Sequence, residues 1–236
     1  MGKFYGIGVG PGDPEFLTVK AVRVLAGAGV VCVPRSGPDR ESLALQAARP
    51  YLPAGYETLE LSFPMSRDRS ILEESWRTAG EEVAVRVAAG QVVVFLTLGD
   101  PLLYSTYGYL LRYLKKHHPG LERETIPGIT SFGAAAAAAG EPLAEGEESL
   151  AVLPCAYGLE TVERALDTFD NVVLLKVHRR LPELTALLEA RGLLEHALLA
   201  SRVGQPGQFL SADLKSLNFD TAGYMSLIIV KRGNDR

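Results

Sequence analysis

Two apolar runs of this sequence each lead into a Gly-Asp-Pro turn. Residues 4–9 precede Gly12-Asp13-Pro14, and residues 92–98 precede Gly99-Asp100-Pro101. A helical pattern follows each turn, so both runs are predicted to be strands of an α/β fold with a parallel sheet. In open α/β sheets, ligands bind in the crevice at the carboxyl edge of the strands. The two turns therefore predict both the fold class and the position of a ligand site.

Strand and helix patterns alternate from one end of the chain to the other. The continuous apolar run Val92–Leu98 is typical of a central parallel strand that is covered on both faces. Pro and Gly interrupt the pattern at His117-His118-Pro119-Gly120, which is the predicted linker. The sequence thus predicts an N-terminal α/β domain, residues 1–118, and a C-terminal α/β domain, residues 123–236.

The composition excludes several classes of protein. A hydrophobic content of 47% with 22% charged residues is typical of a globular protein and not of a disordered one. A net charge of −4 without a basic stripe argues against nucleic-acid binding. The pattern of a signal peptide is missing, and the longest apolar run is too short to span a bilayer. Cys32 and Cys155 lie far apart in apolar stretches, which indicates a reducing cytoplasm.

Two adjacent histidines, His117 and His118, raise the question of a metal site. Neighbouring side chains point in different directions, and no Cys, His or carboxylate cluster stands at ligand spacing from them. The sequence therefore predicts no metal site.

The glycines of the first turn differ from a dinucleotide-binding fingerprint. Gly8, Gly10 and Gly12 alternate, Pro11 lies between them, and the acidic residue expected about 20 positions later is absent. Such glycines still allow a ligand to approach the backbone closely and to meet N–H groups at the start of a helix. The interpretation is a ligand-binding loop that is not of the Rossmann type.

Two later loops add polar groups. Asp100 places a carboxylate at a strand end, where it either meets a cationic group or ribose hydroxyls of a ligand or caps the next helix. Tyr104-Ser105-Thr106 adds hydroxyl groups to the same loop. Pro127-Gly128-Ile129-Thr130-Ser131 begins a helix whose body is Gly133 and six alanines. Its Thr130 and Ser131 offer donors to a ligand or simply cap the helix.

In their order and spacing these motifs resemble those of the tetrapyrrole (corrin/porphyrin) methylases. The resemblance covers nearly the whole length and rests on residues 9–18, Gly99-Asp100-Pro101 and Pro127–Ser131. Further stretches resemble the branch of the family that methylates C20 of precorrin-2 or cobalt-factor II in cobalamin biosynthesis. These stretches are Ser62-Phe63-Pro64-Met65, Thr97–Tyr107, Lys176-Val177 and Tyr224–Leu227.

The resemblance implies a two-domain α/β enzyme that binds S-adenosylmethionine between its domains without a Rossmann fold, and that forms a homodimer. Since the sequence offers no metal site, any cobalt is expected to arrive inside the tetrapyrrole substrate. The cofactor-binding residues that it implies are Pro11, Leu98, Gly99, Asp100, Leu103, Thr130, Ser131, Lys176, Val177 and Gly204. Asp100, Tyr104 and Tyr107 are the candidates for positioning the substrate or removing a proton.

Other interpretations stay open at this point. A methylase that acts elsewhere on the macrocycle, or diphthine synthase, would share the fold, and a non-catalytic nucleotide-binding module would share the loops. Because the substrate carries many carboxylates, an acidic protein needs local positive charge to bind it. The candidates for that charge are Arg35, Arg67, Arg69, Arg179 and Arg180.

Overall fold

The computed structural model of this chain describes residues 2–35, 42–64, 66, 68–155, 158–217, 219 and 222–232. The chain divides into two compact units, Met1–Thr130 and Ser131–Arg236. The first unit extends past the boundary predicted at residues 118–123, because the strand at Arg123–Ile126 pairs with the first strand of the chain.

The described residues of the first unit form five strands and four α-helices. The strands are β1 (Lys3–Gly8), β2 (Val30–Pro34), β3 (Glu57–Leu61), β4 (Val92–Thr97) and β5 (Arg123–Ile126). The helices are α1 (Val19–Leu25), α2 (Leu43–Ala48), α3 (Arg69–Ala88) and α4 (Tyr107–His117). Short 3-10 helices cover Pro14–Phe16 and Arg49–Tyr51.

The five strands form one parallel sheet in the order β3-β2-β4-β1-β5. The predicted central strand is confirmed, since β4 lies in the middle with both faces covered. Its side chains alternate between two cores, so that Val94 and Leu96 pack with α1 and α2 while Val93 and Phe95 pack with α3 and α4. The helices cover both faces of the sheet, so the loops that connect strands to helices lie at the ends of the strands.

The helical pattern that follows the first turn is divided into two pieces. Asp13 caps the 3-10 helix Pro14–Phe16, and the backbone at Leu17 is extended (φ −70°, ψ 139°). Thr18 then caps α1, its hydroxyl accepting a hydrogen bond from the Ala21 amide at 3.2 Å. The side chains that predicted one helix therefore belong to two elements that begin at separate caps.

The second unit has a mixed sheet. Its strands are β6 (Leu150–Pro154), β7 (Asn171–Leu175), β8 (Ala197–Ser201), β9 (Phe209–Ser211) and β10 (Ser226–Lys231), and its α-helices are α5 (Ser131–Ala139), α6 (Glu160–Thr168) and α7 (Leu181–Ala190). A 3-10 helix covers Leu194–His196. The strand order is β6-β7-β10-β8-β9. Since β10 is antiparallel to both β7 and β8, the latter two run in the same direction and end at the same edge.

In the part of the chain that the structure describes, we find no helix with the length and apolar character needed to cross a membrane.

Candidate functional site

The loops that follow β1, β4 and β5 meet at the carboxyl edge of the first sheet. These three strands are neighbours and run parallel, so their loops emerge side by side. The first two loops are hydrogen-bonded to each other: the Gly99 amide donates to the Gly10 carbonyl at 2.7 Å, and the Val9 amide donates to the Thr97 carbonyl at 3.0 Å. The edge at which the sequence predicts a ligand site is therefore one continuous backbone surface.

Glycines allow the three loops to approach this closely. A Cβ atom on Gly8 would lie 2.5 Å from the Gly99 carbonyl oxygen, and a Cβ atom on Gly128 would lie 2.2 Å from the same oxygen. Real Cβ atoms do not come so near to backbone, so neither position accepts a side chain without moving the loops. Gly99 differs, because its φ is +68° and a Cβ atom there would meet nothing within 4 Å. A ligand can thus approach the backbone at Gly99.

The Asp100 carboxylate joins two of these loops. Its Oδ1 accepts a hydrogen bond from the Leu102 amide at 2.9 Å, and its Oδ2 accepts one from the Gly128 amide at 3.1 Å. Helix α4 begins only at Tyr107, with Thr106 at its N-cap, so Asp100 does not cap it. The structure therefore gives Asp100 a role in holding the loops after β4 and β5 together.

Tyr104 lies in the loop after β4 with a backbone φ of +52°. Its side chain is exposed. The segment that follows is anchored, since the Ser105 hydroxyl lies 3.0 Å from the Thr97 hydroxyl and accepts a hydrogen bond from the Tyr107 amide at 3.1 Å. A left-handed backbone at a tyrosine is costly and is often found at functional sites.

Tyr107 lies elsewhere. Its side chain is fully buried in the core, and its hydroxyl is 2.7 Å from that of Thr125. The ring fills the space that a side chain on Gly6 would need, since a Cβ atom there would lie 2.1 Å from it. Burial raises the pKa of the phenol. The structure thus gives Tyr107 a packing role in place of the predicted role in positioning or proton removal.

The other predicted cofactor residues of the first unit differ in exposure. Pro11 is buried, whereas Leu98 is half-buried and packs against the core beside α1 and α2. Leu103 is exposed, and Thr130 is half-buried just before α5.

The predicted residues of the second unit lie on two strand-end loops and a helix. Lys176 follows β7, with an exposed side chain and a φ of +58°. Val177 is fully buried in the core of the second unit, so it presents no surface to a ligand in this structure. Gly204 follows β8, and its amide donates to the Gln208 side-chain oxygen at 2.8 Å. Ser131 is the first residue of α5 and is half-buried.

Strained backbone marks one position that sequence reasoning missed. Among the described residues, the non-glycine residues with positive φ are Tyr104, Lys176 and Arg202. Each follows the carboxyl end of a strand: β4, β7 and β8, respectively. An arginine carries no sequence signal for a left-handed conformation, so Arg202 could not have been identified in advance.

His178 lies beside this edge of the second unit. Its Nδ1 is buried without a hydrogen-bond partner among the described residues, and its ring meets the Tyr224 ring edge to face at 5.2 Å. Burial and the neighbouring Arg179 cation lower the pKa of His178. The imidazole is therefore biased toward its neutral form.

The two adjacent histidines have separate partners. His118 Nε2 lies 3.0 Å from the Glu81 carboxylate, and the His117 ring stacks on Tyr113 at 4.4 Å. Across the described ranges, no three side chains of His, Cys, Asp or Glu come together as metal ligands would.

Most of the arginines proposed to bind carboxylates already have acidic partners. Arg35 lies 3.4 Å from Glu60, and Arg180 lies 2.7 Å from Glu183. Arg69 pairs with Glu73 at 2.8 Å. Arg179 is exposed, and Arg67 lies outside the described residues.

Fold and geometry together define an α/β protein whose glycine loops meet at the carboxyl edge of a parallel sheet and form the candidate ligand site. Its strand order, β3-β2-β4-β1-β5, differs from the 3-2-1-4-5-6 order of the Rossmann fold. The sequence model of the Tetrapyrrole (Corrin/Porphyrin) Methylases matches residues 3–217. The chain therefore belongs to the tetrapyrrole methylase family.

Three relatives show how far the similarity extends. The cobalt-precorrin-2 C(20)-methyltransferase of Salmonella typhimurium is 38% identical over 98% of this chain and 97% of its own length. The precorrin-2 C(20)-methyltransferase of a Sinorhizobium species is 34% identical over 100% of this chain and 98% of its own. An S-adenosyl-L-methionine-dependent uroporphyrinogen III methyltransferase of Arabidopsis thaliana is 36% identical over 60% of this chain and 35% of its own length.

Solved structures share the fold. The uroporphyrin-III-C-methyltransferase of Thermus thermophilus superposes with a TM-score of 0.71 at 27% identity, covering 98% of this chain and 95% of that one. A cobalt precorrin-4 methyltransferase reaches a TM-score of 0.75 at 24% identity, covering 97% and 94% of the two chains. The predicted two-domain methylase fold is confirmed.

Proposed function

We propose that this protein is an S-adenosylmethionine-dependent methyltransferase that methylates C20 of precorrin-2 or of its cobalt complex in cobalamin biosynthesis. The observation that carries the proposal is the near full-length similarity to two C20-methyltransferases, one named for precorrin-2 and one for cobalt-precorrin-2. The structure supports it with a site of the required kind, where three loops meet and the backbone at Gly99 is open.

The residues of the first unit suit an S-adenosyl group. The open backbone at Gly99 accepts close approach, Leu98 and Leu103 offer apolar contact, and Thr130 offers a hydroxyl. When bound, S-adenosylmethionine supplies an electrophilic methyl group on a sulfonium. The proposed contacts of the first unit are Pro11, Leu98, Gly99, Asp100, Leu103 and Thr130. Those of the second unit are Ser131, Lys176, Gly204 and Val177.

The protein's contribution to such a reaction is mainly alignment. Methyl transfer is an in-line displacement, so the acceptor carbon must be held on the line of the breaking bond while water is excluded. The meso carbon of a reduced tetrapyrrole is electron-rich, so its attack needs no dedicated base. We propose that Asp100 positions the loops and that Tyr104, whose phenol is exposed beside them, orients the substrate or takes the C20 proton afterwards.

We also propose that the protein works in the cytoplasm as a homodimer, as the family resemblance implies. Both cysteines are free and buried. Burial raises the pKa of the Cys32 thiol to about 12 and that of Cys155 to about 11, so neither is reactive at neutral pH. Buried, unreactive thiols are compatible with a reducing compartment.

The test is a side-by-side anaerobic assay with S-adenosylmethionine and three acceptors: precorrin-2, cobalt-factor II and uroporphyrinogen III. A mass gain of one methyl group on one of the first two supports the proposal and identifies whether the substrate carries cobalt. Methylation of uroporphyrinogen III alone would make the protein a methylase of another ring position. Binding of S-adenosylhomocysteine without methylation of any acceptor would leave a non-catalytic binding module.

A further inference from the structure

Exposed apolar side chains are concentrated on two loops of the candidate site. Leu102, Leu103 and Tyr104, in the loop after β4, are 63%, 36% and 49% exposed, and Ile129, in the loop after β5, is 40% exposed. The other large exposed apolar residues of the described chain belong to α1, α3, α4 and the segment before β10; they are Val19, Ile71, Val85, Tyr109 and Tyr224. Single exposed apolar residues are ordinary, whereas a group of them marks a binding surface.

The two loops form one surface because the same carboxylate holds both. Asp100 accepts hydrogen bonds from the amides of Leu102 and Gly128, at 2.9 and 3.1 Å, and Gly128 directly precedes Ile129. The Gly99 carbonyl also lies against Gly128. We call the surface made by Leu102, Leu103, Tyr104 and Ile129 the apolar platform.

The platform is held in place by its backbone. The Leu103 amide donates to the Asp100 carbonyl at 3.4 Å, and Ser105 is fixed through the Thr97 hydroxyl at 3.0 Å. Tyr104 between them has a left-handed backbone. Apolar side chains kept in water on an anchored and strained loop cost folding stability, and such a cost is typical of a surface that a ligand covers.

The two loops carry almost no charged side chains, which indicates the kind of ligand group that they can contact. Residues 98–106 and 127–131 contain no Lys, Arg or His, and their only carboxylate, Asp100, faces backbone amides. The platform therefore offers no cationic side chain to pair with an anionic group. It offers flat and branched apolar groups instead, which suit the face of a large conjugated ring.

We propose that the apolar platform binds the face of the tetrapyrrole macrocycle, with Leu102, Tyr104 and Ile129 as its contact residues, while the carboxylates on the rim of the macrocycle are bound elsewhere. This inference rests on the proposed function. It makes Leu102 and Ile129, which carry no reactive group, determinants of substrate affinity.

The experiment measures binding of precorrin-2 by titration under anaerobic conditions, in the presence of saturating S-adenosylhomocysteine so that no turnover occurs. Leu102→Ser and Ile129→Ser are compared with Val85→Ser, which removes an equally exposed apolar side chain from α3. We expect Leu102→Ser to raise the Kd for precorrin-2 about tenfold, from the loss of one buried leucine contact. We expect Val85→Ser to leave it unchanged. Thermal unfolding of each variant verifies that the fold is intact.

Three results would overturn the inference. An unchanged Kd for precorrin-2 in both platform variants would mean that the macrocycle does not rest there. A raised Kd for S-adenosylhomocysteine alone would assign the platform to the methyl donor. A shift from dimer to monomer in Leu102→Ser, without a change in precorrin-2 affinity, would make the platform an interface between copies of this chain.

The proposed function is tested separately by wild-type turnover. If the wild-type protein binds precorrin-2 through Leu102 but methylates neither acceptor, the platform is supported and the activity is wrong. If the wild-type protein methylates an acceptor and both platform variants bind it normally, the activity is supported and the platform is wrong.

Discussion

At the scale of single residues, the candidate site depends on the missing side chains of two glycines. Gly8 and Gly128 both face the Gly99 carbonyl oxygen at distances that a Cβ atom cannot occupy, 2.5 and 2.2 Å. These contacts join Gly99 to Gly8, 91 residues earlier in the chain, and to Gly128, 29 residues later. The positions of the glycines therefore decide whether the loops after β1, β4 and β5 form one surface.

Gly128→Ala tests this close approach. Gly128 does not have a positive φ, so the substitution adds a steric clash without additional backbone strain. We expect it to lower the free energy of unfolding by about 1–3 kcal/mol, as overpacking does, and to reduce methyl transfer more than tenfold. Urea unfolding and initial rates measure the two effects.

Gly108→Ala is the matched control. Gly108 lies in α4, and a Cβ atom there would meet nothing within 4 Å. Alanine in a helix is favoured over glycine, so this variant should be unchanged or more stable by up to about 1 kcal/mol, with normal activity. Equal behaviour of the two variants would contradict the role given to Gly128.

Individual residues also show where sequence reasoning ends. Gly99, Asp100 and Gly128 were identified from their motifs, but the hydrogen bond from the Gly128 amide to Asp100 depends on which strands are neighbours. Tyr107 stands beside those motifs in sequence, yet it is buried because Gly6 on β1 leaves room for its ring. Proximity in sequence to a functional motif did not predict whether a side chain is exposed.

At the scale of elements, the edge strand β5 shows how a short strand is fixed to the sheet. It has four residues, and Glu124 at its second position is 2.8 Å from Lys3 on β1 and also pairs with Lys20 on α1. Hydrogen bonds from Lys20 and Lys3 lower the pKa of Glu124 from 4.5 to about 2. One carboxylate thus connects β5 to its neighbouring strand and to a helix.

A pH series tests this connection. Because the folded-state pKa of Glu124 lies below the unfolded one, its ionised form stabilises the fold fully above about pH 4.5 and loses that effect as the pH falls toward 2. We expect Glu124→Gln to be less stable than the wild-type protein at pH 7, with the difference shrinking between pH 4.5 and the lowest pH at which both fold. Urea unfolding at each pH measures it.

The partners of Glu124 provide the control. In a double-mutant cycle with Lys20→Met, the second substitution should cost less in the Glu124→Gln background than in the wild-type protein. If the two costs were additive, or if the difference between wild type and Glu124→Gln did not depend on pH, the ion pair would not stabilise β5.

The elements themselves were largely predictable, because long apolar runs and caps are local signals. The strand at β4 lies within one residue of its predicted bounds, 92–98. The single helix predicted after the first turn is an exception, since the structure has a 3-10 helix and α1 there. Asp13 and Thr18 are both capping residues, and the pattern of apolar side chains continues across them. The assignment of β5 to the first unit could not be read from local signals, since pairing with β1 is a contact across the chain.

At the scale of the whole molecule, an acidic protein is proposed to bind a substrate with many carboxylates. The net charge is −4, and most of the arginines considered as carboxylate partners are already paired with acidic side chains. In the described part of the chain, Lys176 and Arg202 have no ion pair, and both follow parallel-running strands, β7 and β8, at one edge of the second sheet. Among the described residues, this edge therefore carries positive charge that no acidic side chain pairs with.

Removing that charge should weaken substrate binding in a salt-dependent way. We expect Arg202→Gln to raise the Kd for precorrin-2 about two- to fivefold at low ionic strength, the magnitude of an exposed charge pair, and the effect should shrink at 0.5 M salt because screening is then strong. Lys215→Gln removes the same charge from the same unit, but Lys215 is already paired with Glu189 at 2.6 Å and should leave the Kd unchanged. Titrations at two salt concentrations compare the variants.

Equal effects of the two substitutions would show that only net charge matters. A salt-independent loss in Arg202→Gln would instead point to a role of the left-handed backbone at that position.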